Sequence, residues 1–207
     1  GILHTKESLE RMKYYVDHRI EPAYSSYRLL EADSCALSTY QMQGPFEVIA
    51  RLGVNKHTKR PSEDDHKAAY LNALMWTLTG DEAHARKSIE ILNAYSTTLK
   101  LIGPNDNDDP LCASLQGSML ANAAELIKHT YSKVTPAEIA GWEKMLRTVF
   151  IPVLDTFFKA KPYTNGNWGA AATKAYMAFG IFLEDEALYN QAVHFYYNGH
   201  DNGTIKN

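Results

Sequence analysis

Apolar side chains recur along this chain mainly at the three- and four-residue spacing of an α-helix. Thr5 is a plausible cap for a first helix, whose apolar positions are Leu9, Met12, Val16 and Ile20. A second segment with helical spacing runs from about Thr39 to Leu52. No stretch alternates with period two over enough residues to predict a sheet, so the pattern predicts an all-α chain.

Short turns join the later predicted helices into pairs. A polar loop at 53–61 precedes Ser62, and a hydroxyl followed three residues later by the Asp65 carboxylate is typical of a helix N-terminus. Thr79-Gly80-Asp81 ends that helix and the next begins at once, which predicts a tight helical hairpin. Further helices are predicted at about 114–131, 136–158, 168–183 and 186–197, the second of them behind a Thr135-Pro136 cap.

Helix pairs repeated at a spacing of roughly forty residues fit two architectures. One is an open α-solenoid of stacked hairpins, and the other is an (α/α) toroid in which the hairpins close around a cleft. Periodicity does not separate them. The loops at 53–61, 103–110 and 161–167 are long, polar and irregular, which favours a toroid whose site is built from loops at one end. We expect residues 1–207 to form the N-terminal part of a single (α/α) toroid domain, an incomplete barrel of helical hairpins that continues beyond residue 207 in a further segment.

Composition and charge exclude several classes of partner. With 207 residues, 45% hydrophobic and 22% charged, the chain is typical of one soluble globular domain. The net charge of -3 and the lack of a basic stripe argue against nucleic acid. No apolar run is long enough to span a bilayer, so no membrane partner is predicted. A polyanionic ligand stays open because a cleft can be locally positive.

Cysteine, histidine and aspartate patterns give no metal or cofactor prediction. Cys35 and Cys112 either form one disulfide or are two buried thiols, and their spacing leaves both open. The acidic loop lacks the ordered layout of a calcium site, so a solvated loop is predicted for Asp106, Asp108 and Asp109. The eight histidines show no metal-binding spacing. Asn202 is a glycosylation candidate if the protein is secreted.

The segment Asn165-Gly166-Asn167-Trp168 is the strongest candidate for chemistry. One interpretation is a loop followed by a helix N-cap at Asn167, with Trp168 as a core anchor. The other is functional: a side-chain amide at a helix N-terminus can hydrogen-bond a carboxylate, and the helix adds partial positive charge there. The residues alone leave both interpretations open.

The sequence around this segment resembles the alginate-lyase superfamily. The resemblance rests on the opening residues 1–5 and on the segments 164–170, 178–182, 187–189 and 198–207. Within the superfamily the chain is most similar to polysaccharide lyase family 38, whose members cleave glucuronan or polymannuronate. The resemblance implies an (α/α) toroid, a polysaccharide lyase, a uronic-acid polysaccharide as partner, and a secreted, extracellular or bacterial periplasmic location.

The resemblance also implies cleavage by β-elimination, with an asparagine at this loop-to-helix junction neutralising the uronate carboxylate. Related lyases carry an Asn-His pair ahead of the Gly and Trp, whereas this chain has Thr164-Asn165. Counted back from Trp168, Asn165 occupies the histidine position, and Asn167 lies one helical turn from the usual asparagine position. We favour Asn167 as the neutralising residue, keep Asn165 as the alternative, and expect Trp168 to contact the sugar.

The same resemblance implies that the catalytic base and acid follow beyond residue 207. The chain is therefore expected to carry half of an active site, completed by a downstream segment or by a second polypeptide. Upstream, further candidates for substrate binding are Tyr40, Gln41 and Gln43, which precede Gly44-Pro45, and His66 and Gln116, which lie near the starts of predicted helices.

Two other function classes compete with the lyase. A helical-repeat module that binds proteins is favoured only by the hairpin spacing. A glycoside hydrolase on the same scaffold needs two carboxylates facing each other across a cleft, and the candidate acids are Asp64, Asp65 and Asp109. We rank the lyase first because it alone accounts for the 165–168 segment.

Overall fold

The computed structural model describes residues 1–103, 108–159 and 166–199, and most of their regular structure is helical. The helices are α1 (Lys6–Asp17), α2 (Ala23–Glu31), α3 (Lys59–Thr79), α4 (Glu82–Thr98), α5 (Asp109–Thr130), α6 (Pro136–Met145), α7 (Ile151–Lys159), α8 (Gly166–Phe182) and α9 (Glu186–Asn198). A π-helical segment, Leu146–Phe150, joins α6 to α7. The predicted all-α class is confirmed.

Residues 39–52 depart most from the sequence prediction. The helix expected there is absent, and the segment is irregular apart from β1 (Val48–Ile49), which pairs in parallel with β2 (Leu101–Ile102). Pro45 follows a cis peptide and has no amide hydrogen to donate within a helix. The helix predicted from the apolar spacing was therefore wrong, because these side chains pack against the core from an irregular segment.

The start of α3 also differs from the prediction. The helix begins at Lys59, and the Ser62 hydroxyl donates to the Lys59 carbonyl at 3.2 Å inside the first turn, so the cap predicted at Ser62 was wrong. Asp65 consequently lies within the helix and is fully buried. The acidic run is not a cap, and it places one carboxylate in the interior of the protein.

The caps predicted at Thr5 and Thr135 are confirmed, and so is the helix end at Gly80. Thr5 caps α1, and Gly80 ends α3 in the left-handed region at φ 74°. Asp81 then accepts an amide hydrogen bond of 2.9 Å at the start of α4. Thr135 and Glu138 form a capping box at α6. These local signals fix the turns of the helical hairpins.

Three helical hairpins follow one another along the chain, namely α3–α4, α5 with α6–α7, and α8–α9. Helices α3, α5 and α8 pack side by side as an inner row, against which the returning helices pack. The core lies between the two rows. Its largest fully buried aromatic side chains are Tyr95, Trp142, Phe150, Tyr176, Phe179 and Phe182.

The inner helices run in the same direction. The Trp76 indole donates to the Thr130 hydroxyl at 3.0 Å, near the C-terminal ends of α3 and α5. Lys128, also near the end of α5, donates to Glu184 just beyond α8 at 2.7 Å. Because the three helices end together, they also begin together, and we call that end of the molecule the N-terminal end of the inner row.

Gly180 allows α8 and α9 to approach closely. A Cβ at Gly180 would lie 2.8–2.9 Å from the Tyr189 backbone, which cannot move unless the helices separate. We expect Gly180→Ala to lower the free energy of unfolding by about 2 kcal/mol, measured by urea denaturation. Gly141→Ala is the matched control, since its Cβ would meet only the Ser96 side chain, at 3.5–4.0 Å, and alanine favours a helix. Equal effects of the two substitutions would contradict this close contact.

Cys35 and Cys112 are both buried and unbonded, so the thiol alternative is the one the structure supports. Burial raises the pKa of the Cys112 thiol to about 12. Among the described residues there is no cluster of three or more metal-ligating side chains, and none of their helices is long and apolar enough to cross a membrane. Asp106 and Asn202 lie outside the described residues.

Candidate active site

The first turn of α8 holds the described part of the 165–168 segment. The helix begins at Gly166, so Asn167 lies inside the first turn and is not the N-cap. Asn167 is exposed, and within the described ranges its side chain has no hydrogen-bond partner. Trp168 is half-buried and packs against the core. Asn165 lies outside the described residues.

A second group of polar side chains surrounds the Asp65 carboxylate at the same end of the inner row. We call Asp65, Tyr40, Gln43, Gly44 and Tyr95 the Asp65 cluster. Oδ1 of Asp65 accepts from the Tyr40 hydroxyl and from the backbone N–H of Gln43, both at 2.8 Å. Oδ2 accepts from the Gly44 amide at 2.8 Å and the Tyr95 hydroxyl at 2.7 Å. Both oxygens are thus fully engaged by donors.

Gly44 is required by the close packing of this cluster. A Cβ at Gly44 would lie 2.6 Å from the Tyr95 hydroxyl oxygen, which donates to Asp65. Burial, together with the Asp65 charge, raises the pKa of both Tyr40 and Tyr95. The two phenols therefore stay protonated and hold the 40–44 turn against α3.

His66 and Gln116 lie beneath the surface. His66 is fully buried, with its ring edge-on to Tyr95 at 4.3 Å between centroids, and neither ring nitrogen has a well-formed hydrogen bond. Burial lowers the pKa of His66 to about 3, although the neighbouring Gln116 acts in the opposite direction. Gln116 is 1% exposed, and its amide nitrogen lies 3.4 Å from the Cys112 sulfur. Their burial argues for support of the Asp65 cluster rather than the predicted direct contact with substrate.

Tyr40, Gln41 and Gln43 remain at the surface. Tyr40 is half-buried and Gln43 is exposed, and the Gln43 amide nitrogen donates to the Tyr40 hydroxyl oxygen at 3.1 Å. Gln41 is exposed, but its amide turns back to the Thr39 carbonyl at 2.8 Å. The structure therefore joins Tyr40 and Gln43 into one surface and leaves Gln41 apart from it.

Arg51 connects three segments of the chain at this end of the molecule, and it was not identified from the sequence. Its guanidinium donates to Glu63 of α3 and to Asp108 before α5, both at 2.8 Å. All three side chains are largely buried, with 17%, 26% and 17% of their surface exposed. Arg51 therefore ties β1 to the starts of two inner helices. Its partners lie 12 and 57 residues away, so no local motif reveals it.

The acids proposed for a glycoside hydrolase do not form a suitable pair. Asp64 accepts from Arg60 at 2.9 Å on its own helix. Asp65 is enclosed, and both of its oxygens are engaged. Asp109 is buried at the start of α5, with 7% of its surface exposed. The described residues thus offer no exposed pair among the three predicted acids.

No curated protein is significantly similar to the chain. A family model described as alginate lyase matches residues 38–207, which include the three hairpins, the Asp65 cluster and the 165–168 segment. Helices α1 and α2 precede the matched region. Since the match covers most of the chain, the protein belongs to the alginate lyase family and is a polysaccharide lyase.

Proposed function

We propose that the protein cleaves a polyuronate, either glucuronan or polymannuronate, by β-elimination in the manner of polysaccharide lyase family 38. The family match over residues 38–207 supports the reaction class. Successive hairpins with parallel inner helices support an (α/α) toroid, in which a cleft opens at the N-terminal end of the inner row. A polymeric substrate favours a secreted or periplasmic enzyme.

β-Elimination sets the requirements for such a site. A base removes the C5 proton of the uronate, a double bond forms between C4 and C5, the C4–O4 bond breaks, and the departing O4 takes a proton from an acid. The C5 proton is weakly acidic while the adjacent carboxylate is ionised. The enzyme must therefore neutralise that carboxylate and stabilise the enolate that develops.

The exposed amide of Asn167 in the first turn of α8 is the observation that carries this proposal. Its N–H groups can donate to a uronate carboxylate, and the first backbone N–H groups of α8 have no partner within the helix. The helix N-terminus adds partial positive charge at the same place. Trp168 follows directly and would pack against the sugar ring. Asn165 stays the alternative neutralising residue.

Tyr40 and Tyr95 are not proposed as the catalytic base. The pKa of each phenol is raised by burial and by Asp65, and each hydroxyl hydrogen points at that carboxylate. A phenol in this state gives up its proton less readily than a free tyrosine. We therefore assign neither the base nor the acid to the Asp65 cluster.

Incubation with glucuronan, polymannuronate and a neutral glucan tests the proposed reaction. We expect ultraviolet absorbance from the unsaturated uronate to rise with one of the polyuronates and not with the neutral glucan. New reducing ends without this absorbance would indicate hydrolysis and contradict the lyase. Absence of product from every polyuronate would contradict the substrate class. The protein-binding alternative has only the hairpin repetition in its favour.

A further inference from the structure

The geometry of the Asp65 cluster indicates an ionised carboxylate beneath the surface. All four groups that contact its oxygens are donors: two backbone amides and two phenols. A backbone amide can only donate, and both phenols also donate towards Asp65, which is the pattern around an ionised carboxylate because such a group only accepts. No ion pair with Asp65 is found among the described residues. A negative charge therefore lies buried directly behind Tyr40 and Gln43.

This charge fixes the hydrogen-bonding character of the surface in front of it. The Tyr40 hydroxyl donates its only hydrogen to Asp65. Its oxygen can therefore only accept hydrogen bonds from Gln43 and from solvent. The side-chain nitrogen of Gln43 must therefore face Tyr40, which leaves the side-chain oxygen and one N–H of Gln43 without a partner among the described residues. The exposed groups are mainly acceptors and lie over an anion. Such a surface attracts hydroxyl donors and repels carboxylates.

We propose that the Asp65 cluster is a subsite for the ring hydroxyls of the polyuronate, with Asp65 as the residue that positions Tyr40 and Gln43. The inference rests on the proposed polyuronate lyase activity. Substrate recognition at this end of the molecule then has two parts. The α8 N-terminus receives the carboxylate, and the 40–44 turn recognises hydroxyls of the chain.

O-Acetylation of the substrate tests this division, since an acetyl group removes the hydroxyl donor. KM and kcat are measured on one polyuronate before and after chemical O-acetylation. We expect acetylation to raise KM for the unmodified protein. Tyr40→Phe and Gln43→Leu should each raise KM on the unacetylated polymer about five- to tenfold, with kcat little changed. Both substitutions should also reduce the difference in KM between the acetylated and the unacetylated polymer.

Tyr27→Phe is the matched control. Tyr27 is also half-buried and donates to a carboxylate, that of Glu31 at 3.1 Å, but it lies in α2, outside the family match. It should leave KM and the acetylation effect unchanged. An unchanged acetylation effect in Tyr40→Phe and Gln43→Leu would overturn the subsite, as would a loss confined to kcat. No unsaturated product from the unmodified protein on any polyuronate would instead overturn the proposed function.

Asp65→Asn tests the positioning role. The new amide group would face donors, so the 40–44 turn should shift and KM should rise as it does in Tyr40→Phe. In the double variant that combines Asp65→Asn with Tyr40→Phe, the two effects on KM should be less than additive, because both substitutions act on the same surface. Full additivity, or an Asp65→Asn variant that keeps the acetylation effect, would contradict positioning by Asp65. If Asp65→Asn does not fold, Tyr40→Phe and Gln43→Leu still decide the question.

Discussion

Replacing Asn167 by alanine should lower the kcat of polyuronate cleavage by about 10²–10³-fold, as expected when a donor that stabilises developing negative charge is removed. Asn167 is exposed in the first turn of α8, so its loss should leave the fold intact. Initial rates of absorbance increase at saturating polymer measure the effect. Thermal unfolding of the variant verifies that the protein stays folded.

Asn190→Ala is the matched control, since Asn190 is also an exposed asparagine on a helix, in α9. It should retain full activity. Asn165→Ala distinguishes the two candidate residues: if Asn167 neutralises the carboxylate, the larger loss belongs to Asn167→Ala. A larger loss in Asn165→Ala would transfer the role to Asn165. Full activity in both variants would remove this segment from the reaction.

The hairpin boundaries were predictable because their signals are local. Gly80 adopts a left-handed conformation at a helix end, and Asp81 caps the next helix within two residues. The Thr135 cap and the Glu138 side chain lie three residues apart. Each of these signals works through contacts between near neighbours in sequence, so the sequence shows both partners at once.

The 39–52 segment could not be predicted in the same way. Met42 and Phe46 have helical spacing, yet they pack against the core from an irregular segment. Their conformation depends on Asp65, which accepts from Gln43 and Gly44 more than twenty residues earlier in the chain. Periodicity reports which side chains are buried and gives no information about so distant a partner.

The burial of Asp65 could have been predicted from the helical pattern around it. Asp65, Ala68, Ala69 and Asn72 share one helical face, and all four are buried. A carboxylate on such a face needs donors from elsewhere in the fold, because burying an unpaired charge is costly. The Ser62–Asp65 run also has the spacing of a helix cap, and that pattern does not indicate a buried carboxylate. The identity of the donors, Tyr40 and Tyr95, required the structure.

The parallel inner row would place the two proposed recognition surfaces at the same end of the molecule. Each inner helix presents its N-terminus there, which favours the carboxylates of a polyuronate. In the proposed subsite, the buried Asp65 charge would repel these carboxylates and leave the surface in front of it to hydroxyl groups. The net charge of -3 is therefore compatible with a polyanionic substrate.

Acid should destabilise the protein through His66. The pKa of this buried imidazole is about 3 in the folded protein, against about 6.5 in an unfolded chain. Between these values the unfolded chain binds a proton that the folded protein does not, so stability decreases as the pH falls below about 6.5. Relative to pH 7, His66 should cost about 2 kcal/mol at pH 5 and about 3 kcal/mol at pH 4.

His66→Phe removes this proton uptake and keeps a ring against Tyr95. Urea denaturation at pH 7, 5 and 4 should show that the variant loses less stability on acidification than the unmodified protein, by about the amounts given for His66. His57→Gln removes an exposed imidazole and is the control for a change at the surface. Identical acid sensitivity of His66→Phe and the unmodified protein would show that His66 accepts a proton in the folded state. Its neighbour Gln116 would then have to rearrange around an imidazolium, because burying that charge without a partner is costly.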